Sequence, residues 1–256
     1  MDYLTLNKEA WNKRAALHVS STFYDVNGFL SGKTSLNKIE LNALNDVQGK
    51  RLLHLQCHFG LDTLSWARLG AEVTGVDLSE TAIEHANSLA KQSELAATFI
   101  CRDVIEFGRT VNAEYDIVFT SYGVLCWMPD INLWAQTVAN SLKEGGTFYL
   151  CEFHPYFDLL SGFSYFHQAD GDVIKEGTYT ENCDGELTEL ITWSHPISDV
   201  VNALIKVGIQ ITELNEYPYS PYNCFDGLEL GDDGFYYVAD SKQEIPLLFE
   251  IKGVKC

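Results

Sequence analysis

Between Lys50 and Glu152 the chain alternates short apolar runs with helical ones, and that rhythm narrows the possible folds more than any other feature. The candidate strands are Arg51 to Gln56, Ala71 to Val76, Ala97 to Cys101, Tyr115 to Thr120 and Gly146 to Glu152. Helical spacing fills the gaps at Asp62 to Leu69, Glu80 to Lys91 and Asn132 to Leu142. Strands separated by crossover helices predict a parallel sheet covered on both faces. Gly70 stands where the first helix should stop, and Gly145-Gly146 follows the last. With 256 residues, 46% of them hydrophobic, the chain fits one large α/β domain better than two complete small ones.

Helical patterns precede this block. One amphipathic stretch covers Leu6 to Val19, and Leu36, Ile39, Leu41 and Leu44 recur at near three- and four-residue spacing. Between them, Phe23 to Phe29 reads either as a packed loop or as a ligand-covering lid. After Glu152 the rhythm breaks at the turn signals Ser161-Gly162, Asp170-Gly171-Asp172 and Cys183-Asp184-Gly185. Thr178 to Thr180 and Leu190 to Trp193 are predicted to pair across the last of these. The stretch has too few apolar residues to close its own core, so it reads as an inserted cap. A helix opened by Pro196 should bury Ile197, Val200, Val201, Leu204 and Ile205 and end at Gly208. Ile209, Ile211 and Leu214 lead into a sixth strand, Tyr217 to Tyr237 is a long loop or hairpin, and Leu247 to Ile251 gives a seventh strand. The expected division is a helical lid over 1–48, a central half over 49–152, a cap insertion over 153–195 and a C-terminal helix with strands over 196–256.

With 17 basic residues against 36 acidic ones, a net charge of -19, the chain is a poor partner for nucleic acid or an anionic membrane. Both need clustered cations to displace counterions. The densest positive stretch, Lys8, Lys13 and Arg14, reads as the solvated face of a helix. No run approaches the roughly eighteen apolar residues of a membrane span, and a cytoplasmic protein is expected. The cysteines Cys57, Cys101, Cys126, Cys151, Cys183, Cys224 and Cys256 form an odd set with no CxxC pair. That argues against a disulfide framework and a structural metal, so no metal is expected. Cys57, Cys101, Cys126 and Cys151 read as packing thiols near strand ends.

Leu52 to Asp62 carries the strongest functional signal: an apolar strand, a tight turn, then a helix. Such a turn exposes backbone N–H groups and a helix N-terminus at the sheet's carboxyl edge, a cradle for carboxylate or phosphate. Asp77, at the end of the next strand, stands where it can accept both hydroxyls of an adenosine ribose. It is also placed to cap the helix beginning near Ser79, and Asp103 to initiate a turn.

The stretch Leu52-Leu53-His54-Leu55-Gln56-Cys57-His58-Phe59-Gly60 resembles the first motif of class I S-adenosylmethionine-dependent methyltransferases, hydrophobic-hydrophobic-Asp-hydrophobic-Gly-x-Gly-x-Gly. His54 replaces the acid, Gln56 and His58 replace two glycines, and Gly60 is retained. The block through Ala71 is similar to a bacterial methyltransferase-like branch that carries this variant turn. Cys101-Arg102-Asp103-Val104 resembles the family's third-strand acid and adenine contact, Tyr115 to Leu125 its fourth-strand motif, and Leu142-Lys143-Glu144-Gly145-Gly146 its signature before strand five.

The resemblance implies a Rossmann-like, doubly wound, seven-stranded, mostly parallel sheet with an antiparallel last strand, an N-terminal helical cap and an insertion after strand five. It implies S-adenosyl-L-methionine as cofactor, with contacts from Gln56, His58, Gly60, Asp77, Leu78, Asp103, Val104 and Ser121. Methyl transfer to a small-molecule acceptor is the expected reaction. Tyr24, Trp127 and Glu152 are candidates for the acceptor pocket. His154 is the candidate base, and Tyr122 is placed to border the sulfonium. His195 reads as an element-end residue. Two other functions stay open: a catalytically degenerate S-adenosylmethionine-binding sensor or interaction protein, motivated by the lost glycines, and a nicotinamide-dependent oxidoreductase, which predicts a GxGxxG turn this chain lacks. The oligomeric state is left open.

Overall fold

The computed structural model describes residues 2–183, 185–223, 225, 227–239 and 244–256. Asp184, in one expected turn, and Cys224 lie outside the described residues. Seven strands form the main sheet: β1 (Arg51–Leu55), β2 (Glu72–Asp77), β3 (Ala97–Cys101), β4 (Tyr115–Ser121), β5 (Leu142–Phe153), β6 (Ile209–Tyr217) and β7 (Leu248–Lys255). Their order across the sheet is β3-β2-β1-β4-β5-β7-β6. The first five are parallel, and β7 runs antiparallel to both β5 and β6. The order reverses at β1, and in open sheets of this kind ligands bind beyond the strands' carboxyl ends at such a switch point.

Helices cover both faces because successive side chains of the buried strands are apolar and point to opposite faces. Leu53 and Leu55 of β1 join Val118, Phe148 and Leu150 in a core closed by α6 (Val104–Gly108), α7 (Ile131–Ser141) and α9 (Ile197–Lys206). Leu52, Val73, Ile117, Phe119 and Tyr149 face the other way, against Trp66 of α4 (Leu61–Arg68) and Ile39 of α3 (Lys38–Ala43). The expected burial of Ile205 on α9 fails: it is exposed, and Ala203 fills the inward position instead.

Before the sheet, α1 (Tyr3–His18) and the short α2 (Val26–Leu30) lie against α5 (Glu80–Gln92) and the β1 turn, with Ala15, Phe29, Phe59 and Leu89 buried together. After β5 comes α8 (Tyr156–Leu160), then an antiparallel hairpin of Asp172–Glu176 and Thr188–Thr192. The first hairpin strand therefore lies upstream of the expected Thr178 to Thr180 segment. That segment instead faces α1, where Thr178 meets His18. The 217–237 stretch is a hairpin of Leu228–Leu230 and Tyr236–Val238. Among the described residues, no helix is long and apolar enough to cross a membrane.

Candidate active site

The turn after β1 decides the shape of the site. Gln56, His58 and Gly60 all adopt left-handed backbone, with φ of 56°, 50° and 80°. Gly60 has no substitute, because a Cβ there would lie 2.6 Å from the Phe99 ring. At Gln56 and His58 the same conformation costs a side-chain-bearing residue roughly 1–3 kcal/mol, so surrounding bonds must hold it. Gln56 Nε2 donates to the Val124 carbonyl at 2.7 Å, and the His58 N–H donates to Asp77 Oδ2 at 2.8 Å. The His58 ring is wedged among Trp11, His18, Tyr24 and Phe59. The turn thus adopts left-handed backbone at each of the three positions where the family motif has glycine. His54, in place of the usual acid, is buried, bonds Thr63 Oγ1 at 2.8 Å, and is held neutral by burial, with its pKa lowered to about 3.

Successive strand ends deliver the acids. Asp77 closes β2 and accepts the N–H groups of His58 and Ser79, while burial raises its carboxyl to about 6. Ser79, not Asp77, caps α5. Asp103 follows β3 and does cap α6, accepting the Glu106 N–H at 2.9 Å. Ser121 and Tyr122 end β4, and Tyr122 is also left-handed, at φ 47°.

These residues meet in one cavity of about 610 Å³, within the roughly 300–1,000 Å³ of small-molecule clefts. Gln56, His58, Gly60, Asp77, Leu78, Asp103, Val104 and Ser121 all line it, as do Tyr24, Tyr122 and Trp127.

Glu152 and His154 are not among its lining residues. The Glu152 carboxylate is turned inward, where it accepts the backbone N–H groups of Gly123, Val124, Leu125 and Phe153 and fixes the β4 exit loop. His154 is buried with both ring nitrogens engaged, Nε2 with Glu216 Oε1 at 2.8 Å and Nδ1 with the Tyr156 N–H at 3.1 Å. His195 bonds the Met128 carbonyl away from this cavity, as an element-end residue would.

Over the strand ends lies a roof of α1 and the cap hairpin. Asn7 exchanges two hydrogen bonds with the backbone of Ile191, which fastens one to the other. Arg14, expected on a solvated face, is 4% exposed: it bonds Glu176 Oε1 at 2.8 Å and the Gly177 carbonyl at 3.0 Å, and its guanidinium lies near the Trp11 and Trp127 rings. Asn7, Trp11, Arg14 and His18 fall at helical spacing on one face, a polar and aromatic stripe that hydrophobic periodicity does not register.

A family model described as "Methyltransferase domain" matches residues 52–146. Ubiquinone biosynthesis O-methyltransferase of Proteus mirabilis is 26% identical over 183 residues, covering 68% of this chain and 73% of its own. The matched domain and the sheet order are those of class I S-adenosylmethionine-dependent methyltransferases. Among solved structures of that fold, an S-adenosylmethionine-dependent methyltransferase from Clostridium acetobutylicum superposes with a TM-score of 0.60 at 16% identity, covering 97% of this chain and 98% of that one. Magnesium protoporphyrin IX methyltransferase from Synechocystis, with S-adenosylhomocysteine bound, gives 0.55 at 16% identity, with both chains fully covered.

The residues present fit the methyltransferase cofactor on an observation independent of motif. Arg14 Nε and Gln56 Oε1 are buried without hydrogen-bond partners, and both residues line the cavity. An amino-acid arm carrying a carboxylate and an ammonium supplies the acceptor and the donor that these two atoms lack.

Proposed function

We propose that this protein transfers the methyl group of S-adenosylmethionine to a small-molecule acceptor held beneath the α1 and cap-hairpin roof. The observation that carries the reading is the single cavity that joins the ends of β1 to β4 with Arg14 overhead. Asp77 and Leu78 would hold the ribose, Asp103 and Val104 the adenine, and Gln56, His58, Gly60 and Ser121 the methionyl arm beneath Arg14. Tyr24, Tyr122 and Trp127 would border the acceptor. The cofactor, when bound, brings a methyl group already activated on a sulfonium. The chain's own task is then to align the acceptor and exclude water. Neither needs His154, whose nitrogens are committed elsewhere.

Residues 1–48 and the 153–195 insertion would serve as the lid of the 49–152 half, with 196–256 completing the sheet. The net charge of -19 supports small molecules over nucleic acid or anionic membrane as partners, and a cytoplasmic location accords with that.

A thermal-shift panel tests the reading. S-adenosylmethionine and S-adenosylhomocysteine at a hundred times their dissociation constants should each stabilise the fold by about 2.7 kcal/mol, and NAD should not. A shift with NAD alone would overturn it.

A further inference from the structure

Beside Ser121 the cavity holds a charge pattern whose residues are not among those assigned to the cofactor. Asp62, in the first turn of α4, lines the cavity. Its Oδ1 accepts the Ser35 hydroxyl at 2.6 Å, whereas Oδ2 meets the Ser121 hydroxyl only at 3.5 Å, beyond the usual range of such bonds. Glu40, from α3, is fully buried nearby: Oε1 accepts a 3.3 Å bond from Asn37, and Oε2 has no partner. Burial raises Asp62 to about 6 and Glu40 to about 7, the latter helped by the charge of Asp62.

Among the described residues no cation is paired with these groups. Among the described lining residues Arg14 is the one arginine or lysine, and its terminal nitrogen is bound to Glu176 and Gly177 under the roof. Asp25, on the same wall, is half exposed and paired with Lys33 at the surface. An ionised carboxylate held in a largely dry site without a counter-charge is expensive, and a ligand cation relieves that cost. The surrounding walls are rings: Phe23, Tyr24, Tyr122, Phe153, Tyr222 and Phe225. Aromatic faces attract cations.

We propose that the acceptor is a small organic amine, docked as its ammonium ion against Asp62 Oδ2 inside this ring of aromatic side chains; the ammonium gives one proton to that carboxylate, and the lone pair so freed forms the N–CH3 bond as the donor's S–CH3 bond breaks and its electron pair stays on sulfur. The proposal deepens the methyl-transfer reading and rests on it only in calling the amine an acceptor. The same charges repel carboxylate and phosphate ligands, and a neutral ligand leaves the carboxylate uncompensated. Asp62 also meets the positive end of α4, but that role is satisfied at the surface of any helix and calls for neither burial nor aromatic walls.

The test uses three probes of one shape and different charge: benzylamine, benzyl alcohol and benzoate. Each is titrated by calorimetry against the full chain, first alone and then saturated with S-adenosylhomocysteine. Benzylamine should bind about ten-fold or more tighter than benzyl alcohol, and benzoate weakest of the three. Asp62→Asn, which keeps an oxygen for Ser35, should cut the amine's advantage to about two-fold while leaving S-adenosylhomocysteine affinity within about three-fold of the parent. Glu40→Gln, one layer behind, should lower amine affinity by about three-fold and stands in should Asp62→Asn not fold. Benzoate binding as well as benzylamine, no probe binding at all, or an undiminished amine preference in the folded variants would overturn the proposal. Failure of S-adenosylhomocysteine to bind sinks the methyltransferase reading instead, and the ranking measured without it still decides the amine site.

Discussion

The floor and the roof of the cavity are built by different means. The floor is the carboxyl edge of the sheet, where strand, turn and helix succeed one another and place Gln56, Asp77, Asp103 and Ser121 through the backbone. Its strained residues are held through their backbone N–H groups, His58 by the Asp77 carboxylate and Tyr122 by the Cys151 carbonyl, beside a loop that Glu152 clamps. The roof is one helix and one hairpin joined by side chains: Asn7 to Ile191, Arg14 to Glu176, Lys13 to Glu186 and Asn182 to Leu17. Several of these ties are partly solvated, and such contacts contribute little. A roof fastened partly by solvated side chains over a floor of buried bonds is the side on which the proposed lid would open.

The largest expected break in that contrast is at the floor's clamp. Glu152→Ala leaves the N–H groups of Gly123, Val124, Leu125 and Phe153 without their acceptor in a buried loop. Each such orphan costs about 1–3 kcal/mol, so a loss of about 4 kcal/mol in urea unfolding is expected after partial rehydration. A loss under about 1 kcal/mol would mean that the β4 exit loop holds itself.

Asp77→Ala tests the floor's binding role rather than its stability. The stabilisation of about 2.7 kcal/mol expected from S-adenosylhomocysteine at a hundred-fold excess should largely vanish. If the variant is stabilised as well as the parent, Asp77 serves only to hold His58. Arg14→Ala moves to the roof. Glu176, its partner, is half exposed and tolerates the loss, so unfolding stability should hardly change. S-adenosylhomocysteine affinity should fall about thirty-fold, or about 2 kcal/mol, the scale of a hydrogen bond to a charged group. An unchanged affinity would remove Arg14 from the cofactor's reach.

The same division separates what the sequence discloses from what it hides. All seven strands of the sheet are legible, because apolar runs, helical spacing and glycine stops each report a local backbone preference, whereas the antiparallel direction of the last follows only from the family resemblance. The floor residues come with them, since a strand's end fixes where the next side chain goes. Arg14 and His18 are hidden because a polar stripe on α1 looks like a solvated face until a hairpin more than 150 residues later covers it. The first strand of that hairpin is misplaced for a related reason: its alternation is weak, and its position is set by pairing with Thr188–Thr192. Glu152 and His154 are adjacent to β5's end in sequence, yet their carboxylate and ring turn away from the cavity toward long-range partners. Conversely, Gln56 and His58 in place of glycine look damaging in sequence. The cross-strand bonds that hold their left-handed backbone exist only in the folded chain.

The smallest expected effect per measured step, about 1.4 kcal/mol for each pH unit, sits where floor and roof meet, at Asp62. Its ordinary carboxyl value of 3.8 is raised to about 6 in the folded chain, chiefly by burial. Between those values the folded state keeps a proton that the unfolded chain has released, so unfolding stability falls as pH rises through the window. Asp62→Asn removes this term and keeps the shape. The variant's stability relative to the parent should therefore grow by about 1.4 kcal/mol for each unit between about pH 4 and 6, then level off above. Taking the difference cancels the titrations both proteins share, among them Asp77 and the buried histidines His18 and His54. Glu40 remains in both, but its own shift is partly due to Asp62 and should relax in the variant, which extends the curvature toward pH 7. A difference that stays flat with pH would mean that the Asp62 carboxyl is ionised throughout, already matched by a positive partner, and would remove the reason for an amine to bind there.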